Sequence, residues 1–332
     1  MQTLAVTVMN LCVPCENRCR YCLLSYDGKI TGVDYKRSEI YARRFYEWLG
    51  QNRPDIHFSF GFGYSMEHPQ LLNAIDFCQS IHSPTGEFLQ FDGMKFRSEE
   101  QLYSLLSQLK AHGIRLIDLT FYGTEQYHDR FAGRSGDYRL MLNTLKQCNK
   151  LELDVTVTIP LTCESAPLLD ALLHELETYK IKRISLFVPH GEGRGRHLQS
   201  IRLTEECYAR LGEHAKTFFN TVRFKTEKQW LLEGFPALHH RALTVTLTPE
   251  TVDFFENLPF DETIRHLEQL DDHYFSVIPP VEELAEVYGN PESNLYYSAR
   301  DLYLLYQAMY IKDRRLSLYD INNERHCFVR RF

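Results

Sequence analysis

No stretch of the 332-residue sequence is both long enough and apolar enough to form a membrane-spanning helix. Basic charge is not in excess either. Lys and Arg number 37 against 44 Asp and Glu, a net charge of −7. Such a chain has no global attraction for nucleic acid or anionic lipid, and a nucleic-acid substrate would need a local basic patch. Low-complexity tracts, Gly/Ser linkers and fixed-period repeats are missing, which argues against a linker-rich or solenoid architecture. Met1 to Asn10 alternates apolar and polar residues, without a basic segment followed by a long apolar one. The expectation is a cytoplasmic protein. The nine cysteines then do not read as a disulfide framework, because thiols stay reduced there. A cysteine cluster in that setting points to a metal or catalytic site.

Hydrophobic residues make up 44% and charged residues 24%, the balance of a globular chain. Strand and helix patterns alternate over the first two-thirds. Strands are predicted at Thr3–Met9, His57–Phe62, Glu87–Phe91, Leu116–Tyr122, Val155–Ile159 and Ile184–Val188. Helices are predicted between them, and Ser98 with Gln101 forms a capping box at the start of one. Repeated β–α units imply parallel strands with right-handed crossovers. Six units are too few to close an eight-stranded barrel, so the expected fold is α/β: a partial (β/α)6 barrel over 1–222, with chemistry at the C-terminal strand ends. Residues 223–332 read as a C-terminal α+β extension. Within it, 242–255 is predicted to be a β-hairpin turning near Thr248-Pro249-Glu250.

The sharpest motif is Cys15-Glu-Asn-Arg-Cys19-Arg-Tyr-Cys22, a CxxxCxxC directly after the first strand. Thiolates at this spacing are natural iron–sulfur ligands. Two other readings stay open. With Cys12, four thiolates could bind zinc tetrahedrally or close off an electron-transfer cluster.

CxxxCxYC on this loop resembles the radical S-adenosylmethionine (SAM) superfamily. The resemblance continues at Leu119–Phe131 (LTFYGTEQYHDRF), Gly133–Asp137 and Pro189–Gly195 (PHGEGRG), which are similar to segments of peptide- and protein-modifying members with SPASM or twitch extensions. It implies one [4Fe-4S] cluster on Cys15, Cys19 and Cys22, with one iron left open for SAM. It further implies reductive cleavage of SAM to a 5′-deoxyadenosyl radical, a flavodoxin or ferredoxin electron donor, and a peptide or protein substrate. Many members bind the SAM amino group with Gly-Gly-Glu-Pro after strand two. This chain has Gly61-Phe-Gly63-Tyr-Ser65-Met-Glu67-His-Pro69, a stretched version in which Ser65 or Glu67 would be the polar partner. The alternative is a plain strand-to-helix turn. Tyr21, Thr120, Thr158 and Arg194 complete the expected SAM pocket. After residue 205 only Cys207 and Cys327 remain, and neither sits in a CxxC pair. No auxiliary cluster is expected, and the tail reads as a degenerate SPASM/twitch-like module.

Other residues carry less. His128, Asp129 and Arg134 fall near the active-site face, or on an ordinary polar loop. Asp137 reads as a helix N-cap. Cys78, Cys148 and Cys163 read as buried structural cysteines. His239-His240 would point to opposite faces of a strand. Arg314-Arg315 and Arg330-Arg331 read as solvated surface or as guides for an acidic partner. A non-catalytic alternative is a cluster-binding redox sensor or a partner subunit of a peptide-modifying complex.

Overall fold

The computed structural model describes residues 2–10, 15–23, 32–61, 66–83, 86–238 and 240–318. Cys12, Gly63, Ser65, His239, Cys327, Arg330 and Arg331 lie outside them. The strands run β1 (Ala5–Asn10), β2 (His57–Gly61), β3 (Phe88–Gln90), β4 (Leu116–Thr120), β5 (Asp154–Pro160), β6 (Arg183–Phe187), β7 (Phe224–Thr226), β8 (Ala242–Leu247) and β9 (Tyr296–Ser298). They form a three-stranded sheet in the order β2-β1-β8, a four-stranded sheet β3-β4-β5-β6, and a β7-β9 pair. Every pairing in the two larger sheets is parallel. With helices packed outside, this is the expected partial (β/α)6 barrel, and a short antiparallel pair lies in the C-terminal region.

Local sequence explains the elements. In β1, Val6 and Val8 are fully buried at alternate positions. The helix Glu99–Ala111 begins with the predicted capping box, in which the Ser98 hydroxyl accepts from Gln101 N and the Gln101 side chain accepts from Ser98 N. Leu102, Leu106 and Leu109 form its buried stripe. They join β3 to β6 in one core, whereas Phe45, Leu49 and Phe77 pack with β1, β2 and β8 in another.

The predicted hairpin at 242–255 is corrected. Residues Ala242–Leu247 form a single strand, parallel to β1, with Ala5 opposite Ala242 and Asn10 opposite Leu247. The chain after it turns into the helix Val252–Asn257. Thr251 Oγ1 donates to Thr246 O at 2.6 Å and accepts from Thr248 N at 2.9 Å, which sets the turn. Val252 and Phe255 are then buried three residues apart, a helical spacing that a returning strand could not use. Residues beyond 222 therefore contribute a strand to the three-stranded sheet. Arg241, just before β8, pairs with buried Asp271 at 2.6 Å on the helix Phe260–Val277.

A second correction concerns cysteine. Cys163 and Cys207 form a disulfide with Cα atoms 5.5 Å apart. It ties the loop after β5 to the short helix Glu205–Ala209. Spacing in sequence does not reveal the pair, because its partners are 44 residues apart. Cys78 and Cys148 are buried free thiols, as expected. No helix among the described residues is long and apolar enough to cross a membrane.

Closing a loop of this length stabilises a chain by about 2–4 kcal/mol, or roughly 3–6 °C in Tm for a protein of this size. The double variant Cys163→Ser/Cys207→Ser is expected to lose that amount in calorimetry. An unchanged Tm would mean the bridge carries no stability.

Candidate functional site

The cysteine loop crosses the C-terminal ends of the strands and is held there by backbone hydrogen bonds. Glu16 N donates to Gly93 O at 2.7 Å, Arg18 N to Ala132 O at 2.7 Å, and Arg20 N to Phe131 O at 2.9 Å. The acceptors come from the turn after β3 and from the end of the helix Glu125–Ala132, so the loop bridges two elements. At the far end, Arg194 N donates to Cys22 O at 2.8 Å. Two glycines permit the close approach. Gly93 (φ +64°) packs on Cys15, and a Cβ there would overlap Cys15 Sγ; Gly193 (φ +56°) would overlap the carbonyls of Cys22 and Leu23.

Side chains fix the rest of the loop. Asn17 Nδ2 donates to Asp137 Oδ2 at 3.0 Å, and Arg134 Nη1 donates to Asn17 Oδ1 at 3.2 Å. His128 joins the same network. Tyr122 N donates to its Nδ1 at 3.2 Å, so Nδ1 carries no proton and Nε2–H donates to Asp137 Oδ2 at 3.1 Å. Asp137 is therefore the buried hub beneath the cysteine loop, not the expected N-cap. The helix Asp137–Lys150 is capped instead by Asp129, whose carboxylate accepts from Gly136 N and Tyr138 N. His128, expected on a loop, is fully buried on the helix Glu125–Ala132.

Cys15, Cys19 and Cys22 are free and partly exposed on this one loop. Burial pushes the Cys15 thiol up, opposed by the Asn17 backbone N–H. It pushes Cys19 far higher, opposed by the Tyr122 hydroxyl 3.1 Å from its sulfur. Thiols in such surroundings become thiolates when a metal supplies the counter-charge. Among the described residues, no three His, Cys, Asp or Glu side chains gather closely enough for a single metal ion. Three thiols on one loop are the donor set that a four-iron cluster takes on three separate irons.

The expected SAM residues divide. Tyr21 packs between Tyr122, Phe131 and Phe187, with ring centroids 5.7–5.9 Å away. Gly61 ends β2 against the Met9 side chain. Glu67 gives both oxygens to Arg97, at 2.7 and 2.9 Å, and also accepts from Lys95 N at 2.8 Å. Burial works against its charge, but these donors hold its carboxyl below the usual range. Thr120 and Thr158 meet at 3.4 Å on adjacent strands. Arg194 is brought to Cys22 by its backbone. Sequence reasoning missed Asp92, which follows β3. It accepts from Thr120 Oγ1 at 2.8 Å, Thr120 N at 3.2 Å and Gln90 Nε2 at 2.9 Å. The Phe91-Asp92-Gly93 turn after an apolar strand was the signal available. Arg314 and Arg315 are exposed at a helix end and His240 is exposed, all apart from this site.

No protein-family model matches the chain, and no curated protein matches it. Solved structures do. Native anSMEcpe with bound AdoMet is 14% identical, with 94% of this chain and 98% of that one covered and a TM-score of 0.50. Its complex with AdoMet and the Kp18Cys peptide gives 12% identity, the same coverage and 0.50. The chain has the fold of anSMEcpe. SuiB of Streptococcus suis bound to precursor peptide SuiA is 14% identical with a TM-score of 0.42, over 57% of this chain, which spans about 40% of SuiB. The radical SAM enzyme coproporphyrinogen III oxidase of Escherichia coli gives 14% and 0.38 over 57% of this chain and 44% of that one.

Burial raises the Asp92 carboxyl to about 7, with Thr120 opposing and Asp118 adding to the rise. The folded protein holds this proton up to about pH 7, while an unfolded chain releases it near 3.8. The stability it contributes is full below the unfolded value and is lost as pH rises through 7. In cluster-free protein, the Tm of Asp92→Asn minus that of wild type should therefore grow between pH 5 and pH 8.5. A difference that stays flat with pH would contradict the assignment.

Proposed function

We propose that this chain is a radical SAM enzyme that holds one [4Fe-4S] cluster on Cys15, Cys19 and Cys22 and acts on a peptide or protein. The observation that carries the reading is the cysteine loop itself. Three free, partly exposed thiols are stapled across the strand ends of a barrel that has the fold of anSMEcpe in its AdoMet-bound form. When bound, the cluster and SAM supply reductive cleavage of the sulfonium and a radical able to abstract hydrogen. The protein's part is to hold, orient and shield.

Within that reading, Tyr122 donates its hydroxyl toward the Cys19 sulfur, a contact that tunes a thiolate ligand. Gly61, Thr120, Thr158, Tyr21 and Arg194 are the described residues we assign to the SAM pocket, with Gly63 and Ser65 assigned to it from the sequence. Glu67 has spent both oxygens on Arg97, so its role is to brace the loop after β2. Asp92 is bonded by the neutral donors Thr120 and Gln90, and it is the acid we assign to the SAM ammonium. A peptide substrate is supported by the anSMEcpe structure with a bound peptide. A flavodoxin- or ferredoxin-type protein would deliver the electron.

The test is anaerobic reconstitution with iron and sulfide, dithionite reduction, and assay of 5′-deoxyadenosine after SAM addition. Wild type is expected to produce it. Cys15→Ala, Cys19→Ala and Cys22→Ala should abolish production, and Gly93→Ala should lower iron uptake by crowding Cys15. A stable cluster that leaves SAM intact, even with candidate peptides present, would favour the redox-sensor or partner-subunit reading. Bound zinc without iron would overturn the proposal.

A further inference from the structure

The segment after β6 lies between the cysteine loop and the C-terminal region and is fastened to both. On the first side, Arg194 N bonds Cys22 O at 2.8 Å, and Gly193 packs under the Cys22 and Leu23 carbonyls. On the other side, His190 Nδ1 lies 2.6 Å from Asp301 Oδ1. Asp301 is 4% exposed and sits in the first turn of the helix Ala299–Asp313. Its other oxygen accepts from Ser298 Oγ at 2.5 Å, which fixes the carboxylate in place.

The same segment has further fastenings to the C-terminal region. Arg202 is 2% exposed, donates from Nε to Tyr296 O at 2.8 Å, and lies 3.8 Å over the Tyr297 ring. Tyr297 OH donates to Gln199 Oε1 at 3.2 Å, and Tyr296 N donates to Leu203 O at 3.0 Å. Such contacts are costly to leave half-made, because a buried charge without its partner costs far more than an exposed one.

We infer that the C-terminal region works as a clamp that fixes the cysteine loop through the segment after β6, with Asp301 as its positioning residue. This rests on the reading that Cys15, Cys19 and Cys22 hold the cluster. The clamp gives residues beyond 222 a role that needs no auxiliary cluster. Asp301 touches no reacting atom. It holds His190, whose loop carries Gly193 and Arg194 to Cys22.

The experiment measures iron loss from reconstituted wild-type protein and variants to an excess of a ferrous chelator under anaerobic conditions. Asp301→Asn keeps the shape but removes the charge, and should speed iron loss on the order of tenfold. Tyr297→Phe removes one hydroxyl from the clamp and should speed it about two- to threefold. Leu267→Ala empties space in the core that packs β1, β2 and β8, a cluster that holds none of the clamp residues. It should lower the Tm while leaving the rate near that of wild type. A general loss of stability would make Leu267→Ala and Asp301→Asn alike at matched Tm, and that result would overturn the clamp. So would wild-type rates in both Asp301→Asn and Tyr297→Phe. If Asp301→Asn does not fold, Tyr297→Phe against Leu267→Ala decides by the same comparison. Wild type that takes up no cluster would instead defeat the functional reading on which the clamp stands.

Discussion

The structure depends on one constraint: a loop of three cysteines must lie flat across the strand ends with its backbone satisfied. Buried N–H and C=O groups without partners are expensive. Glu16, Arg18 and Arg20 place their N–H groups on carbonyls of Gly93, Ala132 and Phe131, and the Cys22 carbonyl takes Arg194 N–H. The loop's backbone is satisfied by its neighbours, which leaves its three thiols free for a ligand. The turn after β3, the helix Glu125–Ala132 and the segment after β6 are placed to receive the loop.

Beneath the loop lies a polar network rather than an apolar plug. Asp137 is 1% exposed and faces Asn17, His128 and Arg134. Arg134 also lies 3.7 Å over the Phe96 ring, which holds its guanidinium in position. Asp137 Oδ2 takes both the Asn17 and the His128 donor, so removing either one leaves a buried carboxylate less satisfied. Among the described residues Asn17 is the loop side chain that joins this network, and it stands between Cys15 and Cys19. The spacing of the thiols is thus set from below by Asn17 and from the rim by Gly93 and Gly193.

Much of this was legible in the sequence, for identifiable reasons. Alternating β–α periodicity and the CxxxCxxC after β1 rest on local pattern, and both lead to the partial barrel and its cysteine loop. The Ser98 capping box is equally local. What stayed hidden was tertiary. The alternation in Ala242–Leu247 fits a hairpin and a parallel strand equally well, and only its pairing with β1 decides. The Cys163–Cys207 pair joins segments that no spacing rule connects. Asp137 looked like a cap because it precedes a helical run, yet Asp129 does the capping and frees Asp137 for the network. Glu67 holds the acid position of the stretched motif, and its pairing with Arg97 appears only in three dimensions.

The central claim is that three thiolates hold a four-iron cluster with one iron open to SAM. Electron paramagnetic resonance of the reconstituted, dithionite-reduced protein tests it most directly, with spectra recorded before and after SAM. The account predicts a reduced [4Fe-4S] signal whose g-values change when SAM binds the open iron, and loss of that signal in Cys19→Ala. A reduced cluster signal that SAM leaves unaltered would contradict it.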